Sequence, residues 1–268
     1  MTTRLLAAAG HEEGGGFHAP TIGEFFPTAI AFGGTAFEFN RIMLVRVVAA
    51  LALCLLFWLA ARRATLVPGR GQGVAEIALD FVRVNIAREI LGENARKYLP
   101  MLTTIFFAIL AFNVTGIIPF LNIAGTSLIG LPVLLALWVY VMYLGAGVKA
   151  HHGVGGFLKS NLFPPGVPKL LYVLITPIEV LQVFVIRPAT LALRLTANMI
   201  AGHLLLVLCF AATHFFFFEA TGALKAVGAL SLAAGLAFTL FELLVAALQA
   251  YIFALLAAVY ISLSTEAH

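Results

Sequence analysis

The chain has 268 residues, of which 62% are apolar and only 10% are charged, and its mean hydropathy is +1.04. Soluble domains carry about 25% charged and about 45–50% apolar residues, so this chain has too few polar side chains to cover a surface in water. In a bilayer the hydrocarbon itself solvates the excess apolar residues. The composition therefore excludes an ordinary soluble domain and predicts an integral membrane protein, in which a formal charge of +4 reports topology rather than a nucleic-acid partner.

Five apolar runs are long enough to cross a bilayer. A helix needs about 20 residues, at about 1.5 Å each, to cross about 30 Å of hydrocarbon. The runs that qualify cover residues 42–61, 98–121, 127–147, 177–218 and 223–264. They predict an all-α integral membrane protein with a single transmembrane domain over residues 42–268 and an extracytoplasmic N-terminal segment over residues 1–41.

The segment between the first two runs is also expected to be helical. Over residues 74–91, apolar side chains alternate with Glu, Asp and Arg at helical spacing. Such a pattern predicts an amphipathic helix on the cytoplasmic membrane surface, or a docking element for a partner. An ordinary surface helix between two spans fits the pattern equally well.

Basic residues mark two of the loops as cytoplasmic, because cytoplasmic loops carry an excess of Lys and Arg. Seven bases lie between the first and second runs: Arg62, Arg63, Arg70, Arg83, Arg88, Arg96 and Lys97. Three lie between the third and fourth: Lys149, Lys159 and Lys169. The alternate loops carry almost none, so we predict a multi-pass protein of the cell membrane with its N-terminus outside and its C-terminus in the cytoplasm.

The last two runs are about twice as long as the bilayer is thick. Each holds about 40 residues, and a straight helix of that length measures about 60 Å. Such helices must tilt steeply or kink. Thr221 and Gly222 are the clear turn signal between them, so the two runs are predicted to form a long, tilted antiparallel hairpin.

This hairpin holds nearly all of the ionisable residues inside the apolar runs. They are Glu179, Arg187, Arg194, His203, His214 and Glu242, accompanied by polar Gln182, Asn198 and Gln249. A charge at that depth costs several kcal/mol and by default marks an ion path or a buried partner. The hairpin is therefore where function is expected.

Two polar layers are predicted across the hairpin. At equal distances from the turn, Arg194 faces Gln249 and His203 faces Glu242, in layers about 12 Å apart. An imidazole titrates near neutrality and burial can bring a carboxylate there, so the second pair suits proton transfer. A structural His–Glu bond that ties the helices, and a buried Arg bonded to Asn or Gln, are the alternatives.

Three segments carry a family resemblance. The sequence RPATLALRLTANMIAGH over residues 187–203 resembles the signature of subunit a of the F-type rotary ATP synthase. Glu242 with LQAYIF over residues 248–253 resembles the motif of that family's final helix, and NVTGIIP over residues 113–119 resembles a third block. The matches extend from about residue 98 to the C-terminus.

The resemblance implies a stator that conducts protons through two offset half-channels to a rotating ring of c subunits, each with one essential carboxylate. Arg194 stands at the family's essential arginine, where it would attract each ionised ring carboxylate and block a direct proton leak. A guanidinium suits that role because it stays protonated at physiological pH and cannot relay a proton.

The resemblance also implies roles for the other polar residues. His203 and Glu242 would line the half-channel that opens outside, and Asn198 and Gln249 would position groups near the ring. Glu179 would line the half-channel that opens to the cytoplasm.

The implied partners are the c-subunit ring, b-type peripheral stalk subunits, the F1 sector through the complex, and membrane lipid. No cofactor, metal site or catalytic residue is expected, because ATP chemistry would belong to other subunits. Two alternatives compete with this hypothesis: a non-conducting membrane scaffold, and a self-contained cation/proton antiporter that uses Arg194 and Glu242 as a charge-paired site. Such carriers commonly contain internal repeats, and none is visible in the sequence.

Overall fold

The computed structural model describes residues 39–62, 69–118, 121, 123–162, 171–222 and 224–265. Almost all of the N-terminal segment predicted over residues 1–41 lies outside the described residues, as do Arg63 and Lys169. Five helical stretches among those described are long and apolar enough to cross a membrane: Arg41–Arg62, Gly71–Val114, Gly130–Ala150, Leu174–Phe218 and Leu224–Thr265. The prediction of an all-α membrane protein with five long apolar helices is confirmed.

The individual helices follow one another in a simple order. They are α1 (Arg41–Arg62), α2 (Arg70–Val82), α3 (Glu89–Leu91), α4 (Ala95–Val114), α5 (Gly130–Ala150), α6 (Val154–Leu162), α7 (Tyr172–Leu181), α8 (Arg187–Phe218) and α9 (Leu224–Thr265). Two π-helical turns, Arg83–Arg88 and Gln182–Ile186, and one 3₁₀ turn, Gly92–Asn94, join neighbouring helices without a loop.

The long helices α8 and α9 form the predicted hairpin. The chain turns where predicted, at Thr221 and Gly222, and Gly222 adopts a φ of +64°, which favours glycine because it has no Cβ. Small residues allow the helices to pack closely near the turn: a Cβ on Gly228 would lie 3.1 Å from the Phe216 Cβ. The Ser231 hydroxyl also donates a hydrogen bond of 2.9 Å to the Cys209 carbonyl.

The core lies where α4, α5 and the second half of α9 meet. Its fully buried side chains include Leu102, Ile105, Val139, Phe253 and Ile261. Alanines on α9 bring the helices together, and Tyr143 on α5 donates a hydrogen bond to the Val183 carbonyl in the π turn before α8. This contact helps fix the start of α8 against the core, and so it helps position the residues that follow.

The amphipathic segment is continuous with the second membrane-length stretch. It begins with α2 and passes through the first π turn, α3 and the 3₁₀ turn directly into α4. Val82 and Ile86 are buried against the core, whereas Val74 and Ile77 are 69% and 73% exposed. A helix with an exposed apolar stripe beside charged residues is suited to the membrane surface.

The chain leaves helix α4 at Val114, earlier than the hydropathy of residues 98–121 alone indicates. Thr115 donates a hydrogen bond of 2.7 Å to the Phe112 carbonyl and accepts one of 3.2 Å from the Gly125 N–H. The Asn113 side chain accepts a bond of 2.5 Å from Thr126. These bonds fold an apolar connection back onto the end of α4, and hydropathy does not distinguish such a connection from helix.

Arg46 of α1 ties down the same connection. Its Nε donates to the Gly125 carbonyl at 2.7 Å, and its Nη2 donates to the Leu128 carbonyl at 3.2 Å. Replacing Arg46 by Met keeps the apolar stem but removes both donors, so we expect a loss of about 1–3 kcal/mol in stability. The expected result is a lower thermal midpoint of the solubilised complex. Arg62→Gln is the control: its guanidinium lies 5.0 Å from the exposed Trp58 ring, a contact worth less than two partly buried hydrogen bonds, so the midpoint should fall by clearly less. An equal fall in both variants would contradict the prediction.

Candidate functional site

A cleft of about 520 Å³ opens between α8 and α9. Polar residues form one part of its lining and apolar residues the rest. The lining residues are Arg194, Asn198, Ala201, Gly202, Leu205, Phe238, Phe241, Glu242, Val245, Leu248, Gln249 and Ile252. We call this feature the α8–α9 cleft; it contains four of the six predicted site residues.

Arg194 lies on the open side of the α8–α9 cleft. Arg194, Asn198, Ala201 and Leu205 follow one another at spacings of four, three and four, so they form one stripe of the helix, and all four are exposed. Within the described part of the chain, no hydrogen bond or ion pair joins Arg194 to another residue. The guanidinium is therefore available to a group from outside this chain.

Asn198 and Gln249 join the two helices across the cleft. The Asn198 Nδ2 donates to the Gln249 Oε1 at 2.9 Å. Equal distances from the turn had placed Gln249 opposite Arg194, one helical turn farther from the hairpin turn. The difference follows from helix geometry, because side chains lean toward the N-terminus of their own helix: those of α8 lean away from the turn and those of α9 toward it.

Glu242 is buried at the inner wall of the cleft. It is 4% exposed, and it packs against Gly202 so closely that a Cβ there would lie 3.3 Å from the Glu242 Oε1. Neither of its carboxylate oxygens has a hydrogen-bond partner among the described residues. A buried carboxyl group in this setting is suited to accepting and releasing a proton.

His203 follows Gly202 on α8 and is 5% exposed. Both members of the predicted His203–Glu242 layer are therefore buried. Glu242 lines the α8–α9 cleft, whereas His203 is not among its lining residues. Of the two groups, the carboxyl group is the one that borders the open space of the cleft.

Glu179 stands apart from the α8–α9 cleft. It lies on α7, and the π turn Gln182–Ile186 separates it from α8. A π turn bonds residue i to residue i+5 and so breaks the regular α-helical count along the chain. The structure therefore brings Arg194, Asn198, Gln249 and Glu242 together in one cleft and leaves Glu179 outside it.

The open side of the α8–α9 cleft carries a cation, whereas its carboxyl group is buried at the inner wall. Beside the Arg194 guanidinium, the Gln249 Nε2 is buried without a hydrogen-bond partner in the described regions, and Glu242 is the one carboxyl group in the lining. Buried donors normally find acceptors, and a guanidinium forms its strongest bonds with carboxylates and phosphates. The open side is thus suited to receive an anionic group from a partner.

The fold and the cleft together define a multi-pass α-helical membrane protein with a cation and a buried carboxyl group in one helical hairpin. The family model of the ATP synthase A chain matches residues 43–262. The ATP synthase subunit a of Rhodococcus erythropolis is 48% identical over 252 residues, which cover 94% of this chain and 91% of that protein. The corresponding subunit of Frankia alni is 38% identical over 92% of this chain and 85% of its own, and that of Acidiphilium cryptum is 38% identical over 92% and 96%.

The chain therefore belongs to the ATP synthase subunit a family, as the three sequence motifs predicted. Membership makes it a component of the ATP synthase complex, embedded in a membrane and connected with ATP synthesis and proton transport.

Proposed function

We propose that this chain is the proton-conducting stator subunit of an F-type ATP synthase. It passes protons through two offset half-channels to and from the carboxylates of a rotating ring of c subunits. The observation that carries the proposal is Arg194, exposed in a cleft of a membrane-length hairpin with no partner for its charge among the described residues. A cation in that position requires an anion from another subunit, because an uncompensated charge in the hydrocarbon is costly.

Arg194 acts on the ring electrostatically. Its guanidinium stays protonated, so it attracts a ring carboxylate in the ionised form and favours release of that carboxylate's proton. It accepts no proton itself, and it therefore separates the two half-channels. Asn198 lies one turn closer to the hairpin turn than Arg194 and is bonded to Gln249. This bond holds the two amide groups beside the approaching carboxylate.

Glu242 and His203 form the inner part of the half-channel that opens outside. Glu242 lines the α8–α9 cleft and can take a proton from that half-channel and pass it to a ring carboxylate. His203 is buried on α8, next to Gly202, the residue against which Glu242 packs. Glu179, on the other side of the π turn, belongs to the half-channel that opens to the cytoplasm.

Orientation and partners complete the proposal. Cytoplasmic loops carry an excess of Lys and Arg, so the bases between α1 and α4 and those after α5 support an orientation with these connections in the cytoplasm. The complex would then lie in the plasma membrane with the N-terminus of this chain outside. One charge that crosses 100 mV supplies about 2.3 kcal/mol, so the energy of several protons must be summed to make each ATP. That summation needs the ring, held against this stator by b-type peripheral stalk subunits, and the ATP chemistry takes place in the F1 sector.

The test is to restore a complex that lacks its a subunit with this chain. Inverted vesicles that contain the restored complex should acidify their lumen on addition of ATP, and vesicles without the chain should not. Liposomes with this chain alone should show no cation/proton exchange. Exchange by the isolated chain, without restored pumping, would favour the self-contained antiporter and contradict the proposal.

A further inference from the structure

Three arginines converge on a second cleft, at the corner between the amphipathic segment and α4. The cleft measures about 580 Å³, and Arg83, Arg88 and Arg96 supply its charge, with Glu93 as the one acidic residue of the lining. We call these three residues the arginine corner. All three side chains are exposed, and the ion pair between Arg83 and Asp80, at 3.8 Å, is too solvated to neutralise the site.

Irregular backbone brings the three side chains together. Residues five apart on an α-helix point about 140° away from each other. Arg83 and Arg88 instead begin and end a π turn, whose i to i+5 bonding rotates the second residue back toward the face of the first. The chain then bends at Gly92, where φ is +53°, and the 3₁₀ turn delivers Arg96 to the same cleft.

The arginine corner lies beside a surface that is suited to lipid. Exposed apolar side chains follow α2 and the π turn at helical spacing: Val74, Ile77, Phe81 and Val84. Just past the corner, α4 begins its passage through the core. An exposed apolar stripe beside cations is typical of a helix at the membrane interface, where the apolar side chains enter the acyl-chain boundary and the cations lie at the level of the lipid headgroups.

We propose that the arginine corner binds the phosphate group of an anionic phospholipid. Arginine is suited to this ligand because its planar fork can bond two phosphate oxygens at once. The apolar part of the lining, from Ala87, Ala95 and Leu99, is suited to the first carbons of the lipid below its headgroup. The three cations outnumber Glu93 in the lining and Asp80 beside Arg83, so the net positive charge favours an anionic lipid over a zwitterionic one.

The test uses the whole ATP synthase complex in vesicles of phosphatidylcholine that contain a small fraction of photoactivatable phosphatidylglycerol. We expect the label to attach to residues 81–99, excess unlabelled phosphatidylglycerol to abolish labelling, and extra phosphatidylcholine to leave it unchanged. Displacement by both lipids equally would overturn the proposal. Displacement by inorganic phosphate alone would instead identify a site for a soluble anion, and would overturn it too.

Variants provide the second arm of the test. The combination Arg83→Gln, Arg88→Gln and Arg96→Gln should weaken labelling by about 100-fold. Each Arg near an anionic surface contributes about fivefold to the affinity, and the three contributions multiply. The three corresponding Lys substitutions keep the charge and should give an intermediate loss. Arg62→Gln with Lys149→Gln, which removes bases elsewhere, should leave labelling unchanged. An equal loss of labelling in this control would contradict the proposal. The proposal would also be wrong if the triple Gln variant kept its labelling but lost a neighbouring subunit, because the arginine corner would then hold a protein partner.

Discussion

Vesicles with Arg194→Ala are expected to lose ATP-driven proton pumping while the complex remains assembled. A charge pair about 4 Å apart near a protein surface is worth about 4 kcal/mol, and its loss corresponds to about 1000-fold in the rate of a step that depends on it. Passive proton flow after removal of the F1 sector should persist, because the cation that we propose separates the half-channels is gone. The measurement is acidification of the vesicle lumen with ATP, beside proton leak in stripped membranes.

Arg187 supplies the matched control for this prediction. It lies seven residues earlier, at the start of the same helix, with its guanidinium 5.4 Å from the centre of the Tyr260 ring and outside the α8–α9 cleft. Arg187→Ala should therefore pump at close to the normal rate if it assembles. Equal loss of pumping in the two variants would show that both cations on α8 are required. Arg194 would then have no special role.

Glu242→Gln is expected to lower both ATP-driven pumping and passive proton flow. The amide preserves the shape and the burial of the side chain between α8 and α9, but it cannot take up and release a proton. A positioned proton-transfer group contributes about 100-fold or more to such a step. Loss of the passive flow distinguishes this variant from Arg194→Ala, in which the flow persists, and stopped-flow dye measurements on stripped membranes resolve the difference.

Glu219 is the control for the loss of a carboxylate. It follows the last residue of α8, at the exposed hairpin turn, so Glu219→Gln should leave both rates close to normal. Normal passive flow in Glu242→Gln would mean that protons enter the cleft by a route that avoids this carboxyl group. The proposed path through Glu242 would then be wrong.

Much of the fold could be predicted because membrane helices follow simple physical limits. The thickness of the hydrocarbon sets the length of a spanning helix, and this length was enough to predict five spans. Gly222 predicted the hairpin turn, where the structure shows it with a positive φ. The charged residues inside apolar runs were equally informative, because their cost in a bilayer restricts them to sites with a purpose. Two of them, Arg194 and Glu242, lie in one cleft together with the polar residues Asn198 and Gln249.

Irregular backbone accounts for what the sequence could not predict. The two π turns were not predicted, because the spans were located by their apolar composition and one extra residue in a single turn leaves that composition unchanged. The first of them brings Arg83 and Arg88 to one cleft, and the second separates Glu179 from the face that holds Arg194. The apolar connection after Val114 was likewise indistinguishable from helix by hydropathy, because its polar groups are bonded internally through Thr115 and Asn113.

The register of the hairpin shows a subtler limit. Counting from the turn located the layer that contains Gln249, but the partner in the hydrogen bond is Asn198. The lean of side chains along their helices decides which of two residues one turn apart makes the contact. Arg194 is thereby left on the open side of the cleft, where the proposed function requires it.

If the open side of the α8–α9 cleft faces a ring carboxylate, as we propose, a cysteine on that side should form a disulfide with a cysteine beside the carboxylate. Ala201→Cys places a thiol on the exposed cleft stripe, in a background where the native thiols Cys54 and Cys209 are replaced by Ser and a cysteine stands beside the ring carboxylate. Because a disulfide requires Cα atoms within about 7 Å, we expect a cross-link to the ring that stops pumping until reductant is added. A cross-link from Leu51→Cys, on the exposed face of α1, without one from Ala201→Cys would contradict it.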